Sequence, residues 1–268
     1  MYKAVFIDLD GTLLRDDHSI SQETRDIIQK LMQKKVLIVL VSARPIHGMI
    51  PISQWLGLQS NPLVSVNGAY IIENDQVIFE STIDFETVIG LHKANIELEA
   101  TLIYYNGLNW YAETSNAATT KEQRVTEVPV IIEPFESLTR KWKLEVSYPN
   151  KVMAIGSEAV INELQKKLLS QYSDLLNIYT SKPTYLEIMR KDASKTSALK
   201  FLIKKYDIRQ DEVIAIGDNY NDKEMIVYAG LGIAMGNAPE PIKTVADYVT
   251  DTNEQDGVRK ALEKFFEL

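Results

Sequence analysis

Lys3 to Asp10 is a short, nearly continuous apolar run that closes on two carboxylates, Asp8 and Asp10. A run of that kind predicts a strand buried on both faces of a parallel sheet. It ends at Gly11. Ser21 then reads as a helix cap, with Glu23 and Asp26 in the first turns, an apolar stripe of Ile27, Ile28, Leu31 and Met32, and Lys34 and Lys35 in the last turn. Val36 to Val41 predicts the next buried strand. A strand, a crossover helix and a second strand favour the right-handed parallel arrangement. Pro62 to Glu73 adds further strand signal around the turn pair Asn67-Gly68.

From about Ser81 to Met189 the pattern changes. Thr101 to Tyr105 and Leu108 to Ala112 flank Asn106-Gly107, a dipeptide preferred in tight hairpins because both positions tolerate positive φ. Lys143 to Tyr148 and Val152 to Ile155 are expected to form another hairpin or strand pair, and Glu158 to Leu169 carries helical spacing in Val160, Ile161, Leu164 and Leu168. The parallel pattern then returns: Thr196 to Tyr206 as a helix, Val213 to Ile216 as a buried strand, Asp222 to Ala229 as a helix and Leu231 to Met235 as a short strand. Two separated parallel halves complete one sheet only by meeting. The expected fold is therefore α/β: a doubly wound, Rossmann-like parallel-sheet core from residues 1–81 and 190–268, with an α+β domain inserted at 82–189. There is no internal repeat and no low-complexity segment.

Composition narrows the function. The 268 residues carry 37 acidic and 29 basic side chains, a net charge of −8, which gains little from counterion release on a nucleic-acid backbone. Nucleic acid is not an expected partner. With no cysteine in the chain, disulfides, thiolate metal sites and cysteine nucleophiles are excluded. No apolar run approaches the roughly 20 residues of a membrane span, and the opening MYKAVFIDLDGT lacks the architecture of a secretory signal. No membrane association and a cytoplasmic location are expected.

In open parallel sheets ligands bind beyond the carboxyl ends of the strands. Four segments fall there: Asp8 and Asp10 after the first strand, Ser42-Ala43-Arg44 after the second, Lys195 at the helix that follows the insertion, and Gly217 to Asp222 after the late strand. Taken singly, each reads as a loop acid, a helix cap or a surface lysine. Asp8 differs, because the apolar run before it predicts burial, and a buried carboxylate costs several kcal/mol unless a cation or hydrogen-bond donors compensate. A hard divalent metal held by Asp8, Asp10 and Asp218 would do so, magnesium preferring a few oxygen ligands. His18, His47 and His92 are scattered and read as surface or packing residues, and Gly230 to Gly236 as a turn, since it lacks the helix and acid of a dinucleotide loop. The tyrosines and Trp110 of the insertion read as packing residues.

Together these segments resemble the haloacid dehalogenase superfamily of phosphohydrolases. DLDGTLL at Asp8 to Leu14 matches its first motif, VSAR at Val41 to Arg44 resembles the second, Lys195 the third, and GDNYND at Gly217 to Asp222 matches the fourth. The large insertion, NGA at Asn67 to Ala69 and AMGNA at Ala234 to Ala238 are most similar to the Cof-type branch with a type IIB cap. The resemblance implies a magnesium-dependent phosphatase of small phosphorylated metabolites, with the insertion closing over the site and setting specificity. It implies Asp8 as the nucleophile that becomes an aspartyl-phosphate and Asp10 as acid and base. Magnesium would lie on Asp8, the Asp10 backbone carbonyl and Asp218, with Asp222 supporting the metal shell. Lys195 would neutralise charge, and Ser42, the Ala43 N–H and Asn221 would bind phosphate oxygens. A monomer or homodimer is expected. Three departures bear on loop geometry: Ala43 and Asp192 stand where glycine is common, and Thr196 follows Lys195 where the motif often has glycine. The rival readings are a phosphotransferase or mutase using the same aspartyl-phosphate, a phosphoryl-receiver signalling domain and a non-catalytic binding protein. A receiver carries its acceptor after a later strand and needs no insertion of roughly 100 residues.

Overall fold

In the computed structural model, which describes residues 2–126 and 128–267, the chain starts with strand β1 (Ala4–Asp8), helix α1 (Gln22–Gln33) and strand β2 (Leu37–Val41). Helix α2 (Ile50–Leu56) and strands β3 (Leu63–Ser65), β4 (Tyr70–Glu73) and β5 (Gln76–Glu80) follow. The insertion runs α3 (Phe85–Asn95), β6 (Thr101–Asn106), β7 (Asn109–Ala112), α4 (Ala117–Thr126), β8 (Ile131–Ile132), α5 (Phe135–Glu145), β9 (Lys151–Ile155), α6 (Glu158–Tyr172), β10 (Leu176–Lys182) and β11 (Tyr185–Arg190). The chain ends with α7 (Lys195–Lys205), β12 (Val213–Gly217), α8 (Lys223–Tyr228), β13 (Leu231–Ala234), α9 (Glu240–Lys243), β14 (Tyr248–Val249) and α10 (Gly257–Phe266).

These elements form two units, one of Met1–Ala43, Met49–Ile78 and Ser194–Leu268 and one of Arg44–Gly48 and Phe79–Ala193. The first is built on an eight-stranded sheet in the order β14-β13-β12-β1-β2-β3-β4-β5. Every residue of β1 is buried, and the strand runs parallel to β2 on one side and β12 on the other, with Ala4 opposite Leu37 and Val213. The two sequence halves thus meet at β1. Ser21 caps α1, its hydroxyl accepting from the Thr24 N–H at 3.2 Å, and the helix buries Thr24, Ile27, Ile28 and Leu31. From β14 to β3 neighbouring strands are parallel, while β4 runs antiparallel to β3. Asp8, Val41, Ser65 and Gly217 therefore end their strands at one edge of the sheet, which is where an α/β sheet places ligands.

The second unit has a six-stranded sheet in the order β10-β11-β9-β6-β7-β8, antiparallel throughout except for the short parallel pair β7 and β8. Alternation along the strands splits its two faces. Leu102, Tyr104, Val152, Ala154, Leu186 and Ile188 pack with Val88 and Leu91 of α3, Leu138 and Trp142 of α5, and Ile161, Leu164 and Leu168 of α6. On the opposite face lie Ile103, Tyr105, Trp110, Met153 and Tyr185, together with an ion pair between Lys151 and Glu187 at 2.8 Å. The Trp110 indole N–H donates to the Val128 carbonyl at 3.1 Å, so this residue serves packing.

Not every sequence expectation holds. Gly230 to Gly236 is not a turn, since Leu231–Ala234 form β13. Lys143 to Tyr148 is not a strand: its first residues complete α5, whose buried Phe135, Leu138 and Trp142 recur at helical spacing, and Val146 caps it in a left-handed conformation at φ 50°. Val152 to Ile155 does lie in a strand, but its partners are β6 and β11 rather than a neighbouring hairpin arm. Among the described residues no helix is long and apolar enough to cross a membrane.

Candidate active site

Asp8 ends β1 with only 5% of its surface exposed, and Lys195 begins α7 with 1% exposed. The Ser194 hydroxyl and the Ser197 N–H form one half of a capping box at the start of α7, which fixes the helix end and with it the lysine. The Lys195 ammonium donates to Asp8 Oδ1 at 2.5 Å and to Asp222 Oδ1 at 2.6 Å. Asp222 is fully buried, and its other oxygen accepts from the backbone N–H groups of Asp218 (3.1 Å) and Asn219 (3.0 Å). It is thus the brace of the turn after β12. Gly217 precedes that turn with its Cα against the Asp222 side chain.

Carboxylate oxygens of Asp8, Asp218 and Asp222 all lie within 4.8 Å of one another. Asp218 also accepts from the Thr12 hydroxyl at 3.0 Å, and Gly11, at φ 79°, passes so close that a Cβ there would meet Asp218 Oδ2 at 2.5 Å. Both the left-handed backbone and the close approach call for glycine at this position. Three carboxylates, Asp8 and Asp222 buried and Asp218 partly so, cluster about one ammonium, so with all three ionised two negative charges stand in excess. Burial pushes Asp8 well above the usual carboxylate range, and repulsion from Asp222 adds to it, while Lys195 opposes the shift. Asp218 is pushed up to about 6, first by burial and then by Asp222, against the hydrogen bond from Thr12. Burial alone would lower Lys195, but the charges of Asp222 and Asp8 outweigh it, so the ammonium stays protonated. A cluster of hard oxygens with two negative charges in excess fits a magnesium ion in both donor type and charge.

The structure brings together Asp8, Lys195, Asp218 and Asp222 from three parts of the sequence. The Asp10 carboxylate lies outside that cluster: half-exposed, it faces His18 Nδ1 at 4.0 Å. Ser42 is buried at the end of β2, its N–H donating to the Val64 carbonyl at 2.8 Å. Ala43 follows it and is not among the left-handed residues, so the glycine common in the motif is not required by the backbone here. The same holds for Asp192, whose carboxylate takes the Arg190 guanidinium at 2.7 Å and the Ser81 hydroxyl at 3.1 Å. Asn221 lies in the turn after β12, exposed, and its amide donates to Asn67 Oδ1 at 3.1 Å.

Three residues of this neighbourhood escape a reading by residue type. Thr12 orients Asp218. Asn237 donates to the Gly11 carbonyl at 2.8 Å and accepts from the Asn253 N–H at 3.1 Å, tying down the loop after β1. Asn67, read in the sequence as half of a turn pair and as the start of NGA, is 5% exposed and reaches Asn221 across 154 residues of chain.

Comparison with known proteins gives the family. A family model for haloacid dehalogenase-like hydrolases matches residues 5–262. The chain is 34% identical over 260 residues to the 5-amino-6-(5-phospho-D-ribitylamino)uracil phosphatase YcsE of Bacillus subtilis, covering 97% of this chain and 94% of that one. Its fold is similar to a haloacid dehalogenase-like hydrolase from Bacteroides thetaiotaomicron, with a TM-score of 0.89, 30% identity and coverage of 99% and 100% of the two chains. It is also similar to the HAD subclass IIB sugar phosphatase BT4131, with a TM-score of 0.83, 26% identity and coverage of 99% and 100%. The chain belongs to the haloacid dehalogenase-like hydrolases. Within them it is a phosphatase of the Cof-type branch, a parallel-sheet core with an inserted α+β cap domain.

Proposed function

We propose that this chain is a magnesium-dependent phosphatase of small phosphorylated metabolites, sugar phosphates or phosphorylated cofactors, and that it works through an aspartyl-phosphate on Asp8. The observation that carries the reading is the buried Asp8 carboxylate at a strand end, 2.5 Å from the Lys195 ammonium and clustered with Asp218 and Asp222. The named activities of YcsE and BT4131 support the substrate classes.

Asp8, Asp218 and the Asp10 backbone carbonyl would hold the magnesium ion, with Asp222 supporting them, and the bound ion would offset the charge of the phosphate and its nucleophile. Asp8 attacks phosphorus, the P–O bond to the leaving alcohol breaks, and the phosphoryl group is carried on the carboxylate. Asp10 protonates the departing alkoxide and then takes a proton from the water that hydrolyses the acyl phosphate. The contrast in burial suits this division of labour: Asp8 is shielded from water, whereas the half-exposed Asp10 can exchange protons with solvent. Lys195 orients Asp8 and screens its charge from the incoming phosphate. Ser42, the Ala43 N–H and Asn221 bind the phosphate oxygens not involved in transfer.

The test is phosphate release from p-nitrophenyl phosphate and from a panel of sugar phosphates, in magnesium and in EDTA. Turnover in magnesium, abolished by EDTA and restored by added magnesium, is expected, with inorganic phosphate as product. Metal-independent turnover, or none on any ester, would overturn the reading; an isomeric phosphate ester as product would make the protein a mutase instead.

A further inference from the structure

Three consecutive residues after β3 adopt left-handed backbone: Val66 at φ 50°, Asn67 at φ 52° and Gly68 at φ 95°. Glycine and asparagine tolerate that region, whereas a β-branched residue such as Val66 is a genuine outlier in it. Such conformations persist only where the surroundings over-determine them, and they concentrate at functional sites. Here the surroundings are the two segments assigned above to the phosphate and the start of the Lys195 helix. The Asn67 N–H donates to the Ser42 carbonyl at 2.9 Å, and the Asn67 side-chain oxygen accepts from the Asn221 amide at 3.1 Å. Gly68 presses on the Ser194 carbonyl, at the cap of the helix that begins with Lys195, so closely that a Cβ would come to 2.2 Å.

We infer that Asn67 is a positioning residue of the phosphate site, acting through Asn221. A side-chain amide presents either end to a ligand. With its NH2 group bound to Asn67 Oδ1, Asn221 is fixed in one orientation, and the second N–H of that group is the donor offered to a phosphate oxygen. The same residue ties the end of β2 to this arrangement through its backbone, so Ser42 and Asn221 hold a common register around one ligand. The strained turn is retained because an unstrained loop would not deliver the Asn67 side chain to Asn221. This inference rests on the proposed role of Asn221.

Glycine at 67 suits the left-handed backbone while removing the amide, so Asn67→Gly separates positioning from folding. Inorganic phosphate is the probe, measured as a competitive inhibitor of p-nitrophenyl phosphate hydrolysis and by calorimetric binding, with thermal melting as the control for structure. Asn67→Gly is expected to weaken phosphate binding and raise KM about 10-fold each, the scale of one lost hydrogen bond toward a charged ligand. The melting temperature is expected to fall by no more than a few degrees, the eased backbone offsetting part of the lost hydrogen bond and added chain entropy. In an Asn221→Ala background the same change should alter phosphate binding less than about 2-fold, because residues acting as a unit are not additive. Asn67→Gly without effect on phosphate while Asn221→Ala is impaired would overturn this inference alone, as would equal losses in both backgrounds or a fall in melting temperature that tracks the lost activity. Asn221→Ala without effect would overturn the assignment of Asn221 itself, and this inference with it.

Discussion

Lys195 lies within hydrogen-bond reach of two buried carboxylates, so its charge decides whether they are tolerated. A unit charge at about 4 Å contributes roughly 4 kcal/mol at an effective dielectric near 20. Lys195→Met is therefore expected to lower kcat/KM about 1,000-fold, an effect of the size that electrostatics alone supplies. Steady-state kinetics on p-nitrophenyl phosphate checks this, with circular dichroism confirming the fold; a loss under 10-fold would mean that Lys195 is only a strut. The reacting residue types were legible in the sequence because an acid after a buried run is conspicuous. Thr12, Asn67 and Asn237 lie in DLDGTLL, NGA and AMGNA, but their roles were not legible, since each acts through a hydrogen bond to a residue distant in sequence or to a loop carbonyl, and neither leaves a mark in hydrophobic patterning.

Among the elements, the turn after β3 and the start of α7 are packed backbone to backbone at Gly68. Gly68→Ala is expected to destabilise the protein by about 2–4 kcal/mol, combining a left-handed alanine with a clash against a carbonyl that cannot move without its helix. Urea unfolding checks it, and a cost below about 0.5 kcal/mol would show that the junction yields. In the inserted unit the buried Lys151–Glu187 pair joins β9 to β11. Lys151→Met should cost about 3–5 kcal/mol by leaving Glu187 uncompensated, whereas Lys151→Met combined with Glu187→Leu should recover most of that. Burial opposes the ionisation of Glu187, yet Lys151, Ser181 and Tyr179 together hold its carboxyl below its ordinary value. The folded state therefore binds its proton less readily than the unfolded chain. The pair's stabilisation is full above the ordinary glutamate range and lost as pH falls through the lowered folded value. Acid melts of the parent and the double variant should differ in that sense, and identical pH dependence would contradict it. The strands of this unit were legible where they alternate, as in β6 and β7, although the turn between them is Gly107-Leu108 rather than Asn106-Gly107: Asn106 ends β6 opposite Asn109, and Gly107 takes the positive φ, 58°. Residues 143–148 misled because Trp142, Leu144, Val146 and Tyr148 also alternate, whereas the stripe that decides for helix begins earlier, at Phe135 and Leu138.

For the whole chain, the sequence pattern already required two separated parallel halves to share a sheet, and the pairing of β1 with both β2 and β12 is that requirement met. What patterning could not supply is which acids converge. Asp8, Asp218 and Asp222 share a cluster because parallel strands align their carboxyl ends, while Asp10, two residues along, turns its carboxylate out of it once the chain leaves the sheet. The most direct measurement of the account is acid quenching during turnover of a phosphate-radiolabelled ester, followed by digestion and peptide mapping. Base-labile label on Asp8, absent in Asp8→Asn along with at least 1,000-fold of the activity, is the predicted result (about 4 kcal/mol of transition-state stabilisation). Turnover with no label on the protein, or with label on any other residue, would contradict it.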